Sequence, residues 1–298
     1  MAAQLRPLAE TDVRDPIPPS ELLTALQTPP FVFVPGTFNT RDLGLLTPSP
    51  SQHRPKIRPG FLFRTGGLDS LHKSTDGQAV IRDVLHIRRI FDLRSQDEHA
   101  KSPDPAIDGV ENVWLGDEGG GVKEHNPMMD LGPFVDGDGE EGYVGMYLDV
   151  LDKYRGSFAE VLRSVRDRPG EAVLFHCTAG RDRTGVLAGM LETLAGYDDE
   201  TVRMDFLLSR IGIEVAREQL LEFARKYSEG MGGHGSSVTG FDDVPGFYNL
   251  VSLKVTCWDA FVEAVGKKLG GFEGYVTRVL GFSDEDLVKI KRNLVEEP

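Results

Sequence analysis

Cys177 and Arg183 stand six positions apart in His176–Gly185, read HCTAGRDRTG, and their types suit covalent chemistry on an anion. A thiol attacks phosphorus only as the thiolate, and thiols ionise more readily beside a helix N-terminus or a cation. The planar arginine fork grips two oxygens of a phosphate monoester, which the point charge of lysine does not. Thr184 follows the arginine and can hydrogen-bond the sulfur or help it leave. Gly180 lets the backbone turn without a Cβ crowding the anion, and Gly185 is expected to let the following segment pack closely. The chemistry is transfer of the phosphoryl group to sulfur and then to water, which calls for no cofactor and no metal.

The elements on either side must aim these groups. Ala172–Phe175 is an apolar run that predicts a buried strand, and the Ala- and Leu-rich stretch 186–194 predicts a helix. Strand, tight loop and helix start in that order build an anion cradle, with the backbone N–H groups of Thr178, Ala179, Gly180, Arg181, Asp182 and Arg183 around one point. The departing oxygen needs a proton, and two acids are candidates. Asp182 lies inside the loop, and Asp117 follows the strand-like run VENVWL. Taken singly, each residue has a plainer reading: a core cysteine, a surface arginine, an ion-paired or solvated acid. The joint pattern between strand and helix favours the chemistry.

The Cys-x5-Arg loop resembles that of the cysteine-dependent phosphatases. It is similar in detail to the bacterial and fungal tyrosine phosphatase family whose loop reads HCxxGKDRTG. Four other stretches resemble that family: NTRDLG from Asn39, RPGFLFRTGGL from Arg58, IFDLRSQDE from Ile90 and GFSDEDLVKIKRNL from Gly281. The resemblance runs from about Asn39 onward. It implies a tyrosine-phosphatase-like α/β fold, a central and mostly parallel sheet flanked by helices. It also implies that Asp92 and Arg94 support the loop from behind, with His176 before the cysteine. NTRDLG is expected to pack near the site, while Arg41 and Asp42 could equally be a structural ion pair. One departure is Arg181, where the family carries lysine. An aspartate at the place of Asp182 is similar to the loop of myotubularin-like lipid phosphatases, while Asp117 stands where ordinary tyrosine phosphatases place a separate acid loop.

The chain has 298 residues, 40% hydrophobic and 27% charged, with a net charge of −14. That balance predicts a globular protein and argues against nucleic acid and against anionic membranes as partners. It also makes the loop arginines stand out as a local positive spot. Two cysteines do not make a disulfide scaffold; Cys257 lies in an apolar pattern and is expected in the core. A reducing, cytoplasmic setting follows as the expectation, with no apolar signal segment at the start and no run long enough for stable membrane insertion.

Residues 1–19, polar and ending in Pro16, Pro18 and Pro19, read as a flexible leader, and 20–298 as a single domain. Ser20 is expected to cap a short helix to Leu26. FVFV (31–34), FLFR (61–64), 88–93 and 110–115 read as strands, and 74–85 as a helix. Residues 143–168 predict two helices broken near Gly156. Helices are also expected over 199–209, 214–227, 248–269, 272–279 and 283–294, the last capped by Ser283. Insertions are expected at 116–142, either a substrate-selecting lid or a solvated loop, and at 230–246.

The leading function is a phosphomonoester hydrolase acting on phosphotyrosyl protein. A phosphoinositide or small phosphoester is the alternative substrate, for which Arg181 would be a third cation. An inactive phosphate-binding module is the alternative of another class, disfavoured because binding alone needs no Cys177.

Overall fold

The apolar run 172–175 becomes the middle strand of the sheet. The computed structural model describes residues 2–47, 56–116, 130–228 and 244–297. Its strands are β1 (Arg41–Asp42), β2 (Leu62–Thr65), β3 (Ile87–Asp92), β4 (Glu111–Trp114) and β5 (Ala172–His176). They lie in the order β1-β2-β5-β3-β4, with β1 antiparallel to β2 and the other neighbours parallel. Every residue of β5 is buried, as expected of a parallel strand covered on both faces. Side chains alternate between the faces. Val173 and Phe175 join the larger core, under most of the helices, while Ala172 and Leu174 join a smaller core with Ile87, Ile90 and Phe63.

The helices, in chain order, are α1 (Ala2–Ala9), α2 (Pro19–Leu26), α3 (Thr75–Ala79), α4 (Gln96–Lys101), α5 (Glu140–Lys153), α6 (Arg155–Asp167), α7 (Asp182–Ala195), α8 (Asp199–Gly212), α9 (Arg217–Ser228), α10 (Phe247–Val251), α11 (Val255–Leu269), α12 (Gly271–Gly274) and α13 (Asp284–Val295). The tyrosine-phosphatase-like α/β arrangement expected from the loop is thus present. Ser283 caps α13 in a reciprocal capping box with Asp286.

Several local expectations are corrected. Residues 2–19 are not a flexible leader: α1 packs on α8, and Leu5, Ala9, Val13 and Ile17 are buried. Their fourfold spacing gives the segment an apolar edge that the prolines obscured. FVFV is no strand; Phe31 makes a single bridge to Arg41. The break between α5 and α6 falls at Tyr154 rather than Gly156. The stretch 248–269 is two helices, and Pro18, not Ser20, precedes α2 without a side-chain cap. Of the insertions expected at 116–142 and 230–246, residues 117–129 and 230–243 lie outside the described residues, and 140–142 already belong to α5. No helix among the described residues is long and apolar enough to cross a membrane.

Candidate active site

The loop leaves the carboxyl end of β5 and runs into α7, at the edge of a parallel sheet where α/β proteins place ligands. Its carbonyls are held from outside, one after another. Leu93 N donates to His176 O at 2.8 Å and Gly67 N to Thr178 O at 2.9 Å. Asn39 Nδ2 donates to Ala179 O at 3.1 Å and to Gly180 O at 3.0 Å, and Arg64 Nη2 reaches Gly180 O at 2.7 Å. His176 Nδ1 lies 3.3 Å from Cys177 O. In a trans peptide the carbonyl and the next N–H point opposite ways. Clamping the carbonyls of residues 177–180 outward therefore turns the N–H groups of Thr178, Ala179, Gly180 and Arg181 inward. Gly180 is required where it stands: its φ is +64°, and a Cβ would lie 2.3 Å from Thr65 O. Gly185 has no such constraint, because a Cβ there would meet only Arg64 Nη2 at 3.6 Å. The close approach along α7 is at Gly189 instead, where a Cβ would lie 2.4 Å from the Trp258 ring.

Cys177 opens this cradle, 2% exposed, at the floor of a cavity of about 490 Å³. Arg183 borders the same cavity and turns its fork onto Glu98, with Nη1 to Oε2 at 2.5 Å and Nη2 to Oε1 at 2.9 Å. Glu98 also accepts from Thr178 Oγ1 and, at 2.9 Å, from Ser95 N. Burial pushes its carboxyl up, but Arg183, Thr178 and Ser95 outweigh burial and hold it well below the usual carboxylate range. Glu98 was not singled out in the sequence, although Ser95-x-x-Glu98 is a readable capping box on α4. Thr184 Oγ1 is buried and has no hydrogen-bond partner among the described residues, so the expected contact with sulfur is not made here.

Arg181 differs from its expected part. Its Nε lies 3.0 and 3.1 Å from the two Asp182 oxygens, Nη1 donates to Val251 O at 2.9 Å and Nη2 to Leu250 O at 3.1 Å. The guanidinium staples the end of α10 to the loop. Asp182 also accepts from Tyr147 Oη at 2.9 Å, and its carboxylate borders the cavity. Asp117, the other candidate acid, lies outside the described residues.

Two charge clusters lie behind the loop. In one, Arg94 pairs with Asp92 at 2.9 Å and Asp104 at 2.7 Å, while His176 Nε2 meets Asp104 at 2.8 Å. Burial pulls His176 down, but the Asp104 bond and the charges of Asp104 and Asp92 prevail, so its pKa is raised. Asp92, Asp104 and His176 bring three possible metal-ligand atoms within 4.8 Å. The Arg94 guanidinium already bridges both carboxylates, so a cation has its counterpart there. In the other cluster Asp205 takes Arg41 at 2.8 Å and also Arg64. Arg41 and Asp42 are not an ion pair: neighbours on a strand face opposite ways, and Asp42 instead accepts from Gly44 N and Gly60 N at 2.8 and 2.7 Å. Asn39, Arg64, Asp104 and Asp205 were all passed over in the sequence. Arg64 offered one signal, a charge inside an apolar strand.

Cys257 is buried, its thiol pushed up to about 12 by burial, and neither cysteine is in a disulfide. It fits the core position its pattern suggested.

A cysteine and an arginine on one anion-holding loop between the central strand and a helix define a cysteine-dependent phosphatase, a phosphoric monoester hydrolase. The chain belongs to the tyrosine phosphatase family, whose model matches residues 32–296. It is similar to a tyrosine-protein phosphatase of Nostoc commune, 27% identical over 251 residues, 84% of this chain and 80% of that one. It is also similar to the triple specificity protein phosphatase PtpB of Mycobacterium tuberculosis, 28% identical over 214 residues, 65% of this chain and 74% of that one.

Proposed function

We propose that the chain hydrolyses aryl phosphomonoesters of the phosphotyrosyl type through a cysteinyl-phosphate. Cys177 Sγ, as thiolate, forms a bond to phosphorus as the bond to the leaving oxygen breaks. Asp182 gives that oxygen its proton. Water then attacks phosphorus, its proton passes to Asp182, and the S–P bond breaks to return the thiolate and free phosphate. Arg183 and the inward N–H groups hold the phosphoryl oxygens while charge builds on them. The Thr184 hydroxyl beside Arg183, buried and without a partner among the described residues, is the candidate to assist the leaving sulfur in the second step.

The observation that carries the reading is the outward clamping of four successive loop carbonyls, Cys177 to Gly180, which turns the following N–H groups inward. Substrate class is argued from Arg181. Its guanidinium is committed to Asp182, Leu250 O and Val251 O, which weighs against a third anion-gripping cation and hence against polyphosphorylated lipids. Apolar side chains at the cavity, among them Met146, Leu220, Leu221 and Val251, suit an aromatic group. A broader range has its own support in the similarity to a phosphatase named for triple specificity. The test is turnover of phenyl phosphate, phosphotyrosyl and phosphoseryl peptides and a phosphoinositide by the wild type and Cys177→Ser. The variant should bind vanadate or phosphate ester without turnover. Near-wild-type turnover by Cys177→Ser ends the covalent mechanism, and a preference for the phosphoinositide ends the substrate assignment.

A further inference from the structure

The family match begins at residue 32, yet part of the catalytic cavity is built by residues upstream of it. Val13, 4% exposed, borders the same cavity as Cys177 and Arg183. We propose that segment 11–17 is a built wall of the substrate cavity and that Val13 is a specificity-determining residue, selecting the apolar leaving groups that the cavity admits. This rests on the aryl phosphatase reading above.

The segment is held by side chains, not merely laid on the surface. Arg210 of α8, 2% exposed, donates Nε to Thr11 O at 3.0 Å and Nη2 to Asp12 O at 3.2 Å and Asp15 O at 2.7 Å. Its Nη1 pairs with Glu214, whose other oxygen accepts from Ile17 N at 3.0 Å. Arg217, at the start of α9, holds Val13 O at 3.2 Å. A buried guanidinium is costly to desolvate and persists only with its partners in place. Three of the partners of Arg210 are carbonyls of this segment, so α8 and the segment are fitted to each other.

The hold continues around the cavity. Arg217, Leu220 and Leu221 of α9 border it beside Val13. On the other side Arg14 lies over the Tyr248 ring, 5.2 Å from its centre. Tyr248 belongs to α10, whose end carries the Leu250 and Val251 carbonyls that Arg181 staples to the loop. Val13 is therefore fixed relative to the phosphate seat through two routes. A residue so fixed, with an apolar side chain at the cavity, discriminates by size. One methylene in such a pocket changes selectivity by about 10–200-fold.

Binding is measured in the full chain carrying Cys177→Ser, by calorimetry, for phenyl phosphate and the longer biphenyl-4-yl phosphate. The readout is the ratio of their dissociation constants. Adding Val13→Ala should move the ratio about tenfold in favour of the biphenyl ester, and Val13→Trp about tenfold against it. A ratio within twofold of the parent in Val13→Ala overturns the proposal and leaves Val13 as packing. That variant decides the matter even if the tryptophan variant does not fold. Turnover by the wild type is scored separately. An inactive wild type whose Cys177→Ser form still shows the shifted ratio defeats the enzymatic reading and keeps the wall. If neither ester binds the parent, both are overturned.

Discussion

Replacing Glu98 by glutamine tests how the arginine is made ready. Glu98 accepts from both Nη atoms of Arg183, and the pair is largely enclosed, with side chains 18% and 20% exposed. Hydrogen bonds to charged groups contribute about 1.5–3 kcal/mol each, and a neutral one about 1. Glutamine has one oxygen to accept with and turns an NH2 toward the other arm of the fork. The exchange should thus cost about 2–3 kcal/mol of arginine positioning, roughly 30–150-fold in rate if the fork must be set before the transition state. The assay is kcat and KM on an aryl phosphate, together with vanadate affinity. A loss carried mainly by kcat is expected, because Arg183 stabilises charge that develops in the transition state. The opposite outcome is equally clear in chemistry. Glu98 occupies donors that a phosphate could use, and if it competes for them, Glu98→Gln will lower KM and tighten vanadate. An unchanged or higher kcat/KM refutes the positioning argument.

Further outcomes follow from the same geometry. Arg181→Lys should strip Val251 O of its donor, while Leu250 O keeps Tyr143 Oη at 2.7 Å; the variant should change the ranking of bulky leaving groups by about tenfold, and equal losses on small and bulky esters would oppose this. His176 has a raised pKa in the folded state, so its stabilising contribution is fully present below the unfolded value of about 6.5 and fades as pH rises through the folded one. Denaturant midpoints of the wild type should fall over that window, and Asp104→Asn should flatten the slope; a parallel pH profile in the variant counts against His176. Asp182→Asn should cost little on p-nitrophenyl phosphate and about 10²-fold or more on an alkyl phosphate. If Asp117→Asn shows that selective loss instead, the proton comes from the other acid.

What the sequence made legible was local. The run 172–175 announced β5, since a strand covered on both faces must be apolar throughout. HCTAGRDRTG announced the loop, because its residue types and their spacing belong to one short segment. Ser283 announced the start of α13 for the same reason. The partners of those residues were not legible. Glu98 lies 85 residues from Arg183, and Asn39 is 140 from Ala179; nothing in either neighbourhood specifies the other. The same distance problem left Arg41 without its partner. Its chain neighbour Asp42 was the visible acid, but strand geometry turns the two apart, and the acid that it meets is Asp205. Arg181 shows the converse error. An extra cation beside an anion site reads as a third grip, until Leu250 and Val251 take up its donors.

The charges behind the loop explain how an acidic chain can keep an anion site. Under His176 the Arg94 guanidinium and the His176 ring face two carboxylates, Asp92 and Asp104. Under Gly180 the balance differs. Arg41 and Arg64 share Asp205, while burial and the charge of Asp205 push the nearby Glu192 carboxyl well above the usual range. Two guanidiniums thus share the Asp205 carboxylate where Arg64 reaches the Gly180 carbonyl. Arg183 is matched by Glu98, and Arg181 by Asp182 whenever Asp182 has given up its proton. The potential that favours a thiolate and a phosphate thus comes from the inward N–H groups and from the Arg41–Arg64 pair behind them. Asn39 joins the two effects: it binds the loop carbonyls through Nδ2 and Arg41 through Oδ1, so the backbone dipoles and the buried cations are oriented by one side chain.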